Sequence, residues 1–264
     1  MNRQLPELHI EGVALWAPRL PGWSVAAGVM RGDLEAPEAT ASRPTPALLA
    51  PTERRRAPDT VAVALEVASG ACEAAGRSPK ELPSVFASTH GDLAISDYMC
   101  ATLVATPTLL SPIKFHNSVH NAAAGYWSIG TGSYAPYTAI SAFNYTFAAG
   151  LLETATHVAC EQRPVLYVAF DIEAKGALAT VAPSRGVLGV ALVIGPKSSG
   201  AARAMRLSLH PGAAEPTPAR SRAAALMADN ALAPALPLFE ALARDEPASL
   251  TFALSAGAAL QVKL

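Results

Sequence analysis

Two apolar runs, Pro164 to Phe170 and Val187 to Ile194, carry no charged residue, a pattern that marks strands covered on both faces. Around them the periodicity switches repeatedly between two and about 3.6 residues. Leu8 to Ala17, with Ile10, Val13, Leu15 and Trp16, predicts an opening strand, and Ser84 to Thr89 and Pro136 to Ser141 predict shorter ones. Val61, Leu65, Ala68 and Cys72 repeat at helical spacing, with Asp59 after Pro58 as the cap and Gly76 as the stop. Further helices are expected over Asp92 to Val104, after a lead-in from Phe115 to Gly125, and over Asn144 to Val158, where Phe147, Leu151, Ala155 and Val158 share a face. Strands alternating with helices predict an α/β layered sheet.

The flanks differ from this core. Pro18 to Pro51 is rich in proline and small residues and reads as irregular. Pro211 to Arg220 reads as a linker, Ser221 to Arg244 as helix broken at Pro234 and Pro237, and Leu250 to Leu264 as a hairpin turning at Ala256-Gly257. The expected organisation is one domain over residues 1–264, with a core of 8–196 and a C-terminal embellishment of 201–264. No solenoid or propeller period is present.

Composition narrows the function classes. With 264 residues, 51% apolar and 16% charged, the chain can bury a sizeable core. A formal net charge of −1 gives no broad positive field, which argues against nucleic acid as a partner. Only Arg54-Arg55-Arg56 is locally basic; it reads as a solvated flank of the following helix, or alternatively as a docking point for an acidic carrier protein. Three cysteines at unrelated spacings suit reduced thiols and a cytoplasmic address. The polar stretch from Met1 to Glu7 lacks a signal core, and no apolar run reaches the about 20 residues that span a bilayer, so neither export nor a membrane span is expected.

Few residues form a recognisable reactive set. His116 and His120 stand four apart, yet the metalloprotease pattern needs Glu where Asn117 stands, so structural histidines are favoured and no metal or other cofactor is expected. Gly130-Thr-Gly132 matches a dinucleotide fingerprint, but proline and a strand follow it, which favours a tight turn. Asp171 and Glu173 follow an apolar run and are expected to be solvated or capping carboxylates pointing to opposite faces. Thr89-His90-Gly91-Asp92 is a turn suited to lining a pocket, without a G-x-S-x-G elbow to supply a nucleophile.

The most informative stretch begins at Asn121-Ala-Ala-Ala-Gly125, continues through Gly132 and Pro136, and ends a strand at Ile140-Ser141. With Ser111-Pro112-Ile-Lys-Phe115 upstream, this ordered set resembles the N-terminal half of β-ketoacyl synthases, and more closely their ketosynthase-like chain-length factors. The resemblance is strongest over Ser84 to Glu173 and weaker from Leu8 to Pro196. It implies a thiolase-like layered sheet with helices on both faces, plus a short C-terminal helix and β-hairpin. Catalytic members carry a cysteine at the position that Asn144 occupies here, and an amide cannot become the thiolate that accepts an acyl chain. Beyond Asn144 only His157 and His210 remain, neither in a glycine-rich setting like the family's histidine motifs.

The resemblance therefore implies a non-catalytic subunit. Its partner would be a catalytic β-ketoacyl synthase, in a heterodimer or larger assembly that works on chains held by an acyl carrier protein in aryl polyene, type II polyketide or fatty-acid-like biosynthesis. It places the dimer interface at Asn121, Gly125 and the strand of Pro136, Tyr137, Thr138, Ala139, Ile140 and Ser141, and the chain-length-setting floor of the tunnel at Ile95, Tyr98, Met99 and Thr102. Two other readings stand beside it: an independent acyltransferase or thioesterase using His90, His116 or His120, and a scaffold that never touches the acyl chain.

Overall fold

The computed structural model describes residues 3–38, 43–196 and 202–264. Met1, Asn2, part of the proline-rich flank and Ala201 lie outside the described residues. The chain opens with β1 (Arg3–Gln4), β2 (Leu8–Ala17), β3 (Leu20–Pro21), α1 (Trp23–Arg31), α2 (Pro51–Arg56) and α3 (Asp59–Ala75). It continues through β4 (Ser84–Ala87), α4 (Leu93–Ala105), α5 (Pro112–Asn117), α6 (Ala122–Thr131), β5 (Tyr137–Ile140), α7 (Thr146–Glu161), β6 (Val165–Asp171) and β7 (Leu188–Gly195). β8 (Arg203–Pro211), α8 (Arg222–Leu226), α9 (Leu236–Arg244), β9 (Ser249–Ser255) and β10 (Ala258–Lys263) complete it.

Among the described residues, ten strands join one mixed sheet in the order β5-β4-β6-β7-β2-β8-β10-β9, with β1 beside β8 and β3 beside β2. β4 runs parallel to both β5 and β6, and the remaining pairs are antiparallel. Every residue of β6 and β7 is buried. The pleat sends Val165, Tyr167 and Ala169 into one core with Phe147, Leu151 and Phe239, and Leu166, Val168 and Phe170 into the other with Val63, Val67 and Trp127. Helices α1, α7, α8 and α9 cover the first face, and α3 and α6 cover the second. This is the α/β layering with helices on both faces that the periodicity predicts.

One close approach sets the spacing of α7. A Cβ on Gly150 would stand 2.7 Å from the Tyr167 ring, so glycine lets the helix settle on β6, where the buried Tyr167 hydroxyl donates to the Phe147 carbonyl at 2.7 Å.

Several expectations need correction. Asp59 does not cap α3: it is the helix's first residue, Pro58 holds the cap position, and the Asp59 carboxylate pairs with Arg43 at 3.0 Å. The irregular stretch contains α1, whose Ala26, Ala27, Val29 and Met30 are buried, so its small residues serve close packing rather than a loop. The segment before the linker is a strand, β8, in which Met205, Leu207 and Leu209 alternate; it joins β2 to the terminal hairpin and makes the C-terminal segment part of the main sheet. Asp171 is not solvated. It is fully buried, accepting hydrogen bonds from the Ser88 hydroxyl and the Thr89 N–H, both at 2.9 Å, and burial pushes its carboxyl up to about 6. Parallel pairing sets the end of β6 beside the end of β4, and so brings donors to a carboxylate that would otherwise face water.

A second buried carboxylate organises the C-terminal segment. Glu240 of α9 accepts the N–H groups of Arg220 at 2.9 Å and Ser221 at 2.6 Å, while the Ser221 hydroxyl accepts the Ala224 N–H as the N-cap of α8. Truncating Glu240 leaves buried donors without acceptors, so Glu240→Ala is expected to lower unfolding free energy by about 2–4 kcal/mol in urea titrations, against about 1 kcal/mol or less for Glu240→Gln.

Asp171 gives a pH test. Its folded value lies above the unfolded one near 3.8, so the stability it contributes is fully present below pH 3.8 and is lost as pH rises through about 6. The shift of about two units corresponds to about 3 kcal/mol. Urea midpoints from pH 3.5 to 7 are expected to show that loss in the native protein and not in Asp171→Asn; parallel curves would contradict the assignment.

Candidate functional site

The strand-to-helix junction at Asn144 is built from three short pieces. β5 ends at Ile140, a single helical turn follows over Phe143–Tyr145, and α7 begins at Thr146. Phe143 stands at φ 51°, a left-handed conformation that a bulky side chain adopts only under strain of order 1 kcal/mol. The Thr146 hydroxyl closes the junction, donating to the Phe143 carbonyl at 2.7 Å and accepting the Ala142 N–H at 3.0 Å. Asn144 is thus presented outward at the tip of a sharp turn, exposed to solvent.

Two cavities share Asn144. One of about 460 Å³ lies between Ala148 and residues of the C-terminal segment, Ala224, Leu236 and Phe252 among them. The other, of about 580 Å³, includes Thr89, His90 and Asn230. The turn at 88–91 on its wall is held from three sides: Asp171 receives Ser88 and Thr89, His120 Nε2 lies 2.8 Å from the Ser88 carbonyl, and the Ser141 hydroxyl donates to the Thr89 carbonyl at 3.0 Å. Asn230 connects this turn to the opposite wall, donating to the carbonyls of Arg185 at 3.0 Å and Asp171 at 3.3 Å. His90 lines the cavity with its Nε2 buried and without a partner among the described residues, and burial lowers its basicity.

The histidines do not converge on a reactive group. α5 ends at Asn117, so His116 is an exposed helix residue stacked edge-on against Tyr126 at 5.9 Å, while His120 sits in the turn beyond it. His157 lies between Glu153 and Glu161 on α7, and His210 beside Ser208 on β8. Cys72 is buried and its thiol is pushed up to about 12; Cys100 and Cys160 are exposed on α4 and α7, and none of the three lines either cavity at Asn144. Gly132, at φ 64°, ends α6 and turns the chain toward Pro136. Glu173 is exposed, with Lys175 at 3.9 Å. Arg54, Arg55 and Arg56 form the last turn of α2 rather than a flank of α3.

The edge at β5 has an unusual character. Among the described residues β5 pairs only with β4, leaving its other side without a strand. Asn121 reaches this edge, its Nδ2 donating to the Tyr137 hydroxyl at 3.2 Å, while Gly125 lies one turn into α6. Elsewhere in the crossover, α4 is rich in apolar residues yet buries only Leu93 and Ile95, with Val104 88% exposed. All the large apolar side chains exposed among the described residues, except Leu34, fall between Leu103 and Val181.

Of the four α4 residues singled out in the sequence, Ile95 lines a third cleft of about 630 Å³, shared with Ile113, Asn117, Ile172 and Val187. Tyr98 accepts the Ser111 N–H at 3.3 Å and carries Lys114 Nζ 4.6 Å above its ring. Met99 and Thr102 are half-buried on the same helix and do not line that cleft. Among the described residues no helix is long and apolar enough to cross a membrane.

A family profile described as beta-ketoacyl synthase, N-terminal domain, matches residues 29–256. No curated protein matches the sequence. Among solved structures, a ketosynthase (ApeO) in complex with its chain length factor (ApeC) from Xenorhabdus doucetiae aligns over 97% of this chain and 99% of that one, at 19% identity and a TM-score of 0.72. The ishigamide ketosynthase/chain length factor aligns over 97% and 98%, at 15% identity and a TM-score of 0.67. A beta-ketoacyl synthase from Burkholderia phymatum STM815 aligns over 72% of this chain but 59% of its own, at 13% identity and a TM-score of 0.56. At these identities the likeness establishes the thiolase-like fold, and the profile match over most of the sequence establishes that the chain belongs to the beta-ketoacyl synthase N-terminal domain family.

Proposed function

We propose that this chain is a non-catalytic chain-length factor, which pairs with a catalytic β-ketoacyl synthase and helps to wall the tunnel that receives a carrier-bound acyl chain. The observation that carries the reading is the junction of β5 and α7, where an open sheet edge runs into a sharp turn that holds Asn144, the position at which the sequence resemblance puts the family's nucleophile. An amide offers no thiolate, so acyl transfer to the protein is unavailable there. The unpaired donors and acceptors of β5, with the exposed Ile129 of the neighbouring α6, are satisfied by a second sheet of the same kind. The alignment over nearly the full length of a chain from a ketosynthase and chain-length-factor complex supports the same reading, as does the partial coverage of a full synthase. Aryl polyene or related polyketide assembly is the pathway class we assign. An acidic acyl carrier protein is the third component, with Arg55 and Arg56 at the end of α2 as exposed basic groups suited to it.

Within that complex Ile95, Tyr98, Met99 and Thr102 set the depth of the tunnel through sterics, since extra chain length has to fit close-packed protein. Interface residues are Asn121, Gly125 and the edge strand from Pro136 to Ser141.

Co-expression with the ketosynthase encoded beside it is expected to give a one-to-one complex by size-exclusion chromatography and intact mass, and Tyr137→Asp with Ile129→Asp to abolish it. A well-folded chain that elutes apart from the synthase would overturn the pairing. In the complex, Met99→Ala is expected to shift products to longer chains; an unchanged product distribution across substitutions at all four α4 positions would remove the tunnel assignment.

A further inference from the structure

Tyr134 is the most exposed large apolar side chain among the described residues, at 101%, and it stands on a tightly held loop. The loop joins α6 to β5 and is pinned through Ser133, which is itself buried. The Ser133 N–H donates to the Ser128 carbonyl at 3.0 Å, and the Ser133 carbonyl accepts the Ser128 hydroxyl at 2.8 Å. The Ser133 hydroxyl donates to the Lys80 carbonyl at 3.0 Å and accepts the Ala135 N–H at 3.1 Å. Just beyond, the Pro136 carbonyl accepts the Ser84 N–H at 3.1 Å, which ties the end of the loop to β4. The backbone on both sides of Tyr134 is thus fixed, while its ring lies wholly in water.

Single exposed apolar residues are ordinary on a protein surface, but this one belongs to a set. Ile129, on the helix that packs beside β5, is 79% exposed, and Tyr137, the first residue of β5, is 41% exposed. Both adjoin the side of β5 that no strand covers among the described residues, and the Tyr134 loop leads directly into that strand. A tyrosine so placed costs little to immobilise: its backbone is already ordered, only two side-chain torsions remain to be fixed, and a ring of this kind buries about 150–250 Å². Resting on the proposed pairing at β5, we infer that Tyr134 anchors that interface, its ring entering a recess on the synthase beside the strand pair. Main-chain groups are alike in every residue, so the backbone edge of β5 would accept a strand of almost any sequence. Selection of one partner falls to the side chains that frame the edge, and Tyr134 has the most surface to bury there.

The test titrates the chain calorimetrically into the ketosynthase encoded beside it. Tyr134→Ala is expected to weaken binding about 30-fold, and Tyr134→Phe, which keeps the ring, to stay within about threefold of the native affinity. Leu34→Ala, which truncates an exposed apolar side chain outside this set, is expected to leave the affinity unchanged. Truncating a ring that lies in water leaves the fold intact, so thermal melts of both Tyr134 variants are expected to coincide with that of the native chain. Binding by Tyr134→Ala within about threefold of native, or an equal loss in Leu34→Ala, would overturn the inference. So would a ring that serves a second copy instead, read by analytical ultracentrifugation as a native dimer that Tyr134→Ala turns into monomer while synthase affinity stays unchanged. A native chain that forms no complex removes the pairing reading and this inference with it, whereas a native complex that Tyr134→Ala leaves intact removes this inference alone.

Discussion

Strands β6 and β7 are buried along their whole length on both faces, and the rest of the fold follows from the need to cover them. A strand without a solvent face requires a helix layer above and below, and its alternating side chains define two separate cores. β4 and β5 extend the sheet in one direction by parallel pairing, which demands the crossover through α4, α5 and α6. β2, β8, β10 and β9 extend it in the other by antiparallel pairing. The antiparallel side brings the C-terminal segment over one face of the sheet.

The two ends of the sheet are treated differently. At β9 the linker lies alongside, with the Thr217 N–H donating to the Thr251 carbonyl at 2.9 Å and the Thr251 N–H donating to the Thr217 hydroxyl at 2.8 Å. Backbone groups that would invite another strand are partly occupied by the chain itself. At β5 nothing comparable stands among the described residues, and Tyr137 on the strand and Ile129 on the adjoining α6 are exposed. One edge is protected and the other is left available, which fits a subunit that meets its partner on a single side.

The junction at Asn144 is a tightly held strand-to-helix turn. Phe143 holds a left-handed backbone at some cost, Thr146 ties the turn closed, and Asp171, His120 and Ser141 clamp the facing loop at 88–91. Such over-determined geometry is ordinarily retained to present a side chain. Here it presents an amide between two cavities, and the C-terminal segment supplies the far wall of both.

Much of this was legible in the amino-acid order. The apolar runs at 164–170 and 187–194, the helical repeat from Val61 to Cys72 and the Ala256-Gly257 turn all mark local properties, and each lies where its pattern predicts because burial on two faces, helical spacing and turn chemistry are written in neighbouring residues. Tertiary structure alone decided the rest. Asp171 finds its hydrogen-bond donors only because parallel pairing sets Ser88 and Thr89 beside it, 82 and 83 positions away in sequence. α1 hides among prolines because its small residues gain meaning only once packed. What a residue does next to its sequence neighbours is local physics; which distant groups share its space is settled by strand pairing and layer packing.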